Sequence, residues 1–175
     1  LAAARTLQKH GLPFTGFELH ADVGGLWDIA NPQSTVYESA HLISSKRMTE
    51  FTEFPMRDEV PPYPHHRELR RYFSDFADHF GLRSHYEFST RVLRVARAAG
   101  GAGWDVTTER DGVSRTRRFA GVLIATGTLH HPHQRAFSQY SAGSRAPGRR
   151  QLAGGDARRR KFVALGQPFP RSRTH

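Results

Sequence analysis

Apolar residues in the opening stretch LAAARTLQKHGLP fall at Leu1, Ala4, Leu7 and Leu12, close to the spacing of one helix face, and Gly11 with Pro13 supplies a stop. The period then shortens. Phe14 to Leu19 reads as a strand carrying the acid Glu18 near its end, and the Gly24–Gly25 pair marks a tight loop that brings Trp27 round. Residues 30–63 show weak periodicity and many breakers, so they read as an extended, loop-rich segment. In HHRELRRYFSDFADHFG the residues Leu69, Tyr72, Phe73, Phe76, Ala77 and Phe80 form one continuous apolar stripe, which predicts a helix ended by Gly81.

Beyond that helix, RVLRVAR alternates apolar and basic residues at period two, WDVTTE does so less cleanly, and Asp111–Gly112 is a hairpin signal ahead of SRTRRF. These segments predict a short antiparallel meander. AGVLIATGT follows as an apolar run of the buried parallel type, over residues 119–125, ending at Ala125-Thr126-Gly127. The order helix, strand, long loop, helix, meander, strand is that of an α/β chain. After His133 the pattern collapses into a stretch rich in Gly, Pro, Ser, Ala and Arg, expected to be without stable structure.

Charge sharpens that division. The chain has 175 residues and a formal net charge of +10, yet residues 135–175 carry ten of the 26 Lys and Arg and only one of the 16 acids. Its basicity therefore belongs to the tail. The absence of cysteine excludes disulfides, thiol nucleophiles and cysteine-bound metals. No apolar run approaches the roughly 18 residues of a membrane span and no signal peptide opens the chain, so the expected compartment is cytoplasmic.

Three places carry candidate chemistry. Glu18, at the end of a strand, is placed to accept hydrogen bonds from ribose hydroxyls, or is simply a solvated acid. Gly24-Gly25-Leu26-Trp27 offers bare backbone and then a large aromatic, which suits close approach to a ligand or an ordinary turn over a core tryptophan. Ala125-Thr126-Gly127 lets main chain pass close to a bound molecule, or marks a strand leaving its sheet. His65 with His66, and His130, His131 and His133, invite a metal reading, but adjacent side chains diverge and no Cys supports them, so no metal site is assigned. No G-x-S-x-G elbow places a nucleophile, and no catalytic side chain is assigned. The Arg-rich tail would suit phosphates, with Phe162 and Phe169 to stack on bases, yet a run such as RRRK is usually a solvated charge block, and no specific nucleic-acid partner is expected.

Taken in order over residues 1–134, these features resemble the flavin-containing monooxygenases. The resemblance rests on the opening helix, the strand ending in Glu18, Gly24-Gly25-Leu26-Trp27, Tyr37-Glu38-Ser39, Ser45-Lys46, Phe51 with Glu53-Phe54-Pro55, Tyr63-Pro64, Thr90-Arg91-Val92, and Ala125-Thr126-Gly127 with Pro132. It implies an incomplete Rossmann-like FAD-binding domain, three-layered, with a parallel sheet plus the small meander, followed by a basic tail over 135–175. It implies FAD and NADPH as cofactors, and O2 and a small molecule as substrates. The activity implied is oxygenation of soft nitrogen or sulfur, as in N,N-dimethylaniline monooxygenase, through a C4a-(hydro)peroxyflavin. By position, Glu18 would hold the adenosine ribose, Leu26 and Trp27 would line the flavin pocket, with Gly25 before them also at the cofactor, Val92 would meet adenine through its backbone, and Ala125, Thr126 and Gly127 would pass near the pyrophosphate.

Several departures accompany the resemblance. Ile43 stands where the family usually has an Asn beside the flavin, with Ser44 next to it as the substitute hydrogen-bonding group, and Glu53 replaces an Asp. The first strand with its glycine loop, the NADPH domain and the family's F-x-G-x-x-x-H fingerprint are not found, so the chain is expected to be a fragment, inactive alone, with a change of reading frame near 134–138. The alternatives are a fragment of a Baeyer–Villiger monooxygenase or other two-dinucleotide flavoprotein, and a non-enzymatic basic nucleic-acid binder.

Overall fold

The computed structural model describes residues 1–127 and the backbone of one further strand, 162–165. Helix α1 (Ala2–Lys9) buries Ala4 and Leu7, and Gly11 leaves it with φ 64°. Strand β1 (Phe14–Phe17) follows directly, and a single 3-10 turn, Gly25–Trp27, opens the long loop. Within residues 30–63 the chain forms one short helix, α2 (Lys46–Thr49), and is otherwise irregular.

Helix α3 (His66–His79) is the stripe read from the sequence: Leu69, Tyr72, Phe76 and Ala77 are buried, and Gly81 sits in the left-handed region at φ 62°. Its start is a capping box of unusual composition. His65 stands at the N-cap and accepts from the Arg67 N–H, while the Glu68 carboxylate accepts from the His65 N–H at 3.0 Å. His65 thus has a local structural task, and its neighbour His66 is 1% exposed.

After a 3-10 turn (Leu82–His85), β2 (Tyr86–Glu87) pairs in parallel with β1. The meander is as the alternation predicts: β3 (Arg91–Arg97), β4 (Trp104–Arg110) and β5 (Val113–Phe119) form an antiparallel sheet in chain order. Asp111 and Gly112 turn the second hairpin with φ 51° and 75°, the double positive φ that favours this dipeptide. The meander's inner face supplies Val92, Val106 and Phe119 to a cluster completed by Phe17 of β1. A second cluster joins α1, Phe14, Val23, Phe76, Ala77 and Leu82, and a third places Leu42 and Met56 on Leu69 and Tyr72 of α3.

One expectation, that of a buried parallel strand after the meander, is corrected in the main sheet. Its order is β2-β1-β7-β6, where β6 is Gly121–Ile124 and β7 is Phe162–Leu165. β7 comes from the basic segment 135–175 and pairs antiparallel with both neighbours: Phe14, Leu165 and Gly121 align at one end, and Phe17, Phe162 and Ile124 at the other. Composition suits it to a strand, since FVAL is a short apolar, partly β-branched run inside an otherwise polar and Gly-rich segment. β6, read as a buried strand, is instead at the sheet edge, with Leu123 39% and Ile124 61% exposed. β1 and β6 still run in the same direction, so both end on the same side of a mixed sheet.

Candidate cofactor site

That shared end of β1 and β6 opens into a cavity of about 400 Å³. Phe17 and Glu18 enter it from the end of β1, and Ala125 from the residue after β6. Leu1, Ala2 and Ala3 bring the first turn of α1 to its wall, and Gly24, Gly25 and Trp27 contribute the loop that follows β1. Phe51, Phe73, Tyr86 and Phe88 make most of the remaining surface aromatic. A cleft at the carboxyl ends of sheet strands, beside a helix N-terminus, is where α/β folds collect nucleotides.

Local hydrogen bonding fixes Glu18. Its N–H donates to Glu87 O at 3.1 Å, its carbonyl accepts from Thr90 N at 2.9 Å, and its Oε1 accepts from His20 N at 3.0 Å. The backbone is thereby locked between β2 and the start of β3, with the residue at the cavity wall. Burial, and then the charge of Glu18, push the Tyr86 hydroxyl from its ordinary 10.0 up to about 12. Tyr86 in turn covers Gly16: a Cβ at that position would stand 2.4 Å from two carbons of the tyrosine ring.

The Gly24–Trp27 loop is held from behind by residues that the sequence patterns do not single out. Asp28, 3% exposed, accepts from Ala30 N and lies 3.2 Å from Arg70 Nε and 3.3 Å from His20 Nε2. Asn31 Nδ2 donates to Gly25 O at 3.1 Å, and Ser34 Oγ donates to Leu26 O. Asp22 binds Arg83 and Val23 N; against the burial that raises it, the Arg83 hydrogen bond, the Val23 N–H and the charges of Arg83 and Arg70 hold its carboxyl below the usual value. An Asp or Asn a few residues past a Gly-rich turn is a recognisable Asx-turn signal, and Asp28 and Asn31 carry it.

Of the residues singled out from sequence, Glu18, Gly25, Trp27 and Ala125 meet in this cavity. Leu26 is half-buried beside it with its carbonyl engaged by Ser34. Val92 is packed in the cluster under Phe17, 2% exposed. Ser44 is exposed and shares a hydrogen bond of 3.1 Å with Thr49, and Ile43 beside it is 97% exposed. Thr126 and Gly127 follow Ala125, with Thr126 Oγ1 donating to Gly127 O at 3.2 Å. Among the described residues no three His, Asp or Glu side chains gather as a metal site, and no helix is long and apolar enough to cross a membrane. His130, His131 and His133 lie outside the described residues.

Rat flavin-containing monooxygenase 3 is 34% identical over 140 residues, covering 76% of this chain and 26% of the rat protein. Guinea-pig dimethylaniline monooxygenase [N-oxide-forming] 2 is 34% identical over 142 residues, with the same coverage. The chain therefore spans about a quarter of the length of these relatives. Among solved structures, S-allyl-L-cysteine S-oxygenase from Allium sativum shares the fold with a TM-score of 0.55 at 20% identity, covering 71% of this chain and 36% of that one. Steroid monooxygenase bound to NADP superposes with a TM-score of 0.55 at 26% identity, over 65% of this chain and 22% of that one. A family model described as flavin-binding monooxygenase-like matches residues 1–141. With that match over most of its length, the chain belongs to the flavin-binding monooxygenase-like family.

Proposed function

We propose that the chain is the adenosine-binding part of the FAD site of a monooxygenase that uses NADPH and O2 to oxygenate soft nitrogen or sulfur centres of small molecules. The observation that carries this reading is the convergence of Glu18, the Gly24–Gly25 backbone, Trp27, Ala125 and the first turn of α1 on one cavity. The donor set suits FAD. A carboxylate accepts from ribose hydroxyls, and the N–H groups of the α1 N-terminus, which has no side-chain cap, suit a pyrophosphate. Bound flavin supplies the oxygen-transfer chemistry. The chain's own residues bind and orient: Glu18 fixes the ribose, Gly24 and Gly25 allow main chain to approach, and Trp27, Phe51 and Phe73 keep water from the cleft.

Turnover is assigned to a larger protein and only cofactor binding to this chain, which covers 26% of its relatives. Glu18 contributes one or two hydrogen bonds worth on the order of 1 kcal/mol each, so flavin affinity is expected to be weak and the purified chain colourless and without NADPH oxidation. The test is therefore one that reads weak binding. In NMR titrations with FAD and with ADP, amide shifts should centre on Ala2, Ala3, Glu18, Gly24 and Gly25, and Glu18→Gln should weaken both ligands about tenfold. Shifts confined to the meander, or equal affinity of Glu18→Gln, would refute the assignment.

A further inference from the structure

We infer that the facing edges of β1 and β6 form a strand-accepting slot, which this chain fills with its own segment Phe162–Leu165. Strand pairing alone defines the slot, independently of the cofactor site. β1 and β6 run in the same direction and make no ladder with each other; each pairs in full with β7, four residues on either side. Neighbouring strands lie roughly 4.8 Å apart, so removing β7 would leave a gap of about one strand between two edges with free N–H and C=O groups. Such a gap admits an extended peptide that can bond on both edges. Proline is excluded from it, because every position faces a neighbour on both sides.

Composition identifies the occupant. Within residues 135–175 the segment Phe162–Leu165 is the longest run of apolar residues, free of Gly and Pro, and it is bounded by Lys161 and Gly166. An extended apolar peptide is what β-augmentation takes. The chain donates it in cis, antiparallel to both walls of the slot.

The chain has no cysteine, so two introduced thiols report the register without interference. In the full chain, Thr15→Cys with Ala164→Cys, a directly opposed pair, should form an intrachain disulfide under mild oxidation. Thr15→Cys with Leu165→Cys, one residue out of register and on opposite faces, should not. Separately, Val163→Pro should lower hydrogen-exchange protection at 15–17 and 122–124 by about tenfold or more while the meander strands keep theirs, and a synthetic peptide of residues 161–167 in excess should restore it. An absent or intermolecular disulfide in the opposed pair would overturn the cis assignment. Unchanged protection in Val163→Pro, or failure of the peptide to restore it, would overturn the slot.

Discussion

Arg117 of β5 and Glu87 of β2 form a two-pronged pair, with Nη1 and Nη2 at 2.6 and 2.7 Å from the two carboxylate oxygens. The pair ties the meander to the strand beside β1. The guanidinium also stands 4.9 Å from the centre of the Phe17 ring and 5.8 Å from that of Phe119, so it bridges charge and core at one point. Both side chains keep partial solvent contact, 27% and 37%, which screens the attraction. Arg117→Met is expected to cost about 1–2 kcal/mol, through two charge-assisted bonds and a cation–π contact. In a urea-unfolding double-mutant cycle with Glu87→Gln, the two effects should be clearly non-additive; simple additivity would mean the pair contributes nothing.

Gly16 is expected to reject a methyl group. Gly16→Ala would press a methyl group to 2.4 Å from the Tyr86 ring, so the ring or the strand must shift. Overpacking of this kind costs about 1–3 kcal/mol. The double variant Gly16→Ala/Tyr86→Ala should lose less than the sum of its parts, and thermal melts of the four chains measure this directly.

Stability should fall in strong alkali for a reason that can be assigned. Tyr86 has its proton held up to about 12 in the folded chain against an ordinary 10.0. The folded state therefore keeps a proton that the unfolded state has lost, so the contribution is complete below pH 10.0 and disappears as pH rises towards about 12. Unfolding free energies measured across that interval should decline less steeply in Tyr86→Phe than in the parent. Burial raises Tyr72 as well, so some slope should survive the substitution.

Tyr72 offers a cleaner case of hydrogen bonding. Its hydroxyl accepts from Phe51 N at 2.7 Å and donates to Phe54 O at 2.6 Å, clamping the 51–54 turn to α3. Tyr72→Phe leaves both backbone groups without that partner and should destabilise by about 1–3 kcal/mol. Hydrogen exchange at Phe51 N should quicken more than at Leu69, and equal change at both sites would contradict a local clamp.

Elements with a strong internal signal are legible in the amino-acid order alone. The α3 stripe needs only helical spacing and Gly81, and the second meander hairpin needs only Asp111–Gly112 between alternating strands. Glu18, Gly25, Trp27 and Ala125 are legible as a candidate site because each sits at or just past the end of an apolar run, where the chain must turn, and they share one cavity. Phe51, Phe73 and Tyr86 are not, since what brings them to the cavity is packing between segments distant in sequence. β7 is hidden for a related reason. Four apolar residues in a polar tail carry little local preference, and their strand exists through partners more than a hundred residues away on one side.

The same pairing sets an order of events during folding. Meander hairpins close between residues a few positions apart, whereas β1 must find β7 by matching residue 14 with residue 165. Chain entropy makes the distant closure the slower of the two. The meander and the α3 stripe should therefore be in place first, with β1, β7 and β6 zipping last, and the cleft at the end of those strands is the latest part of the molecule to acquire its shape.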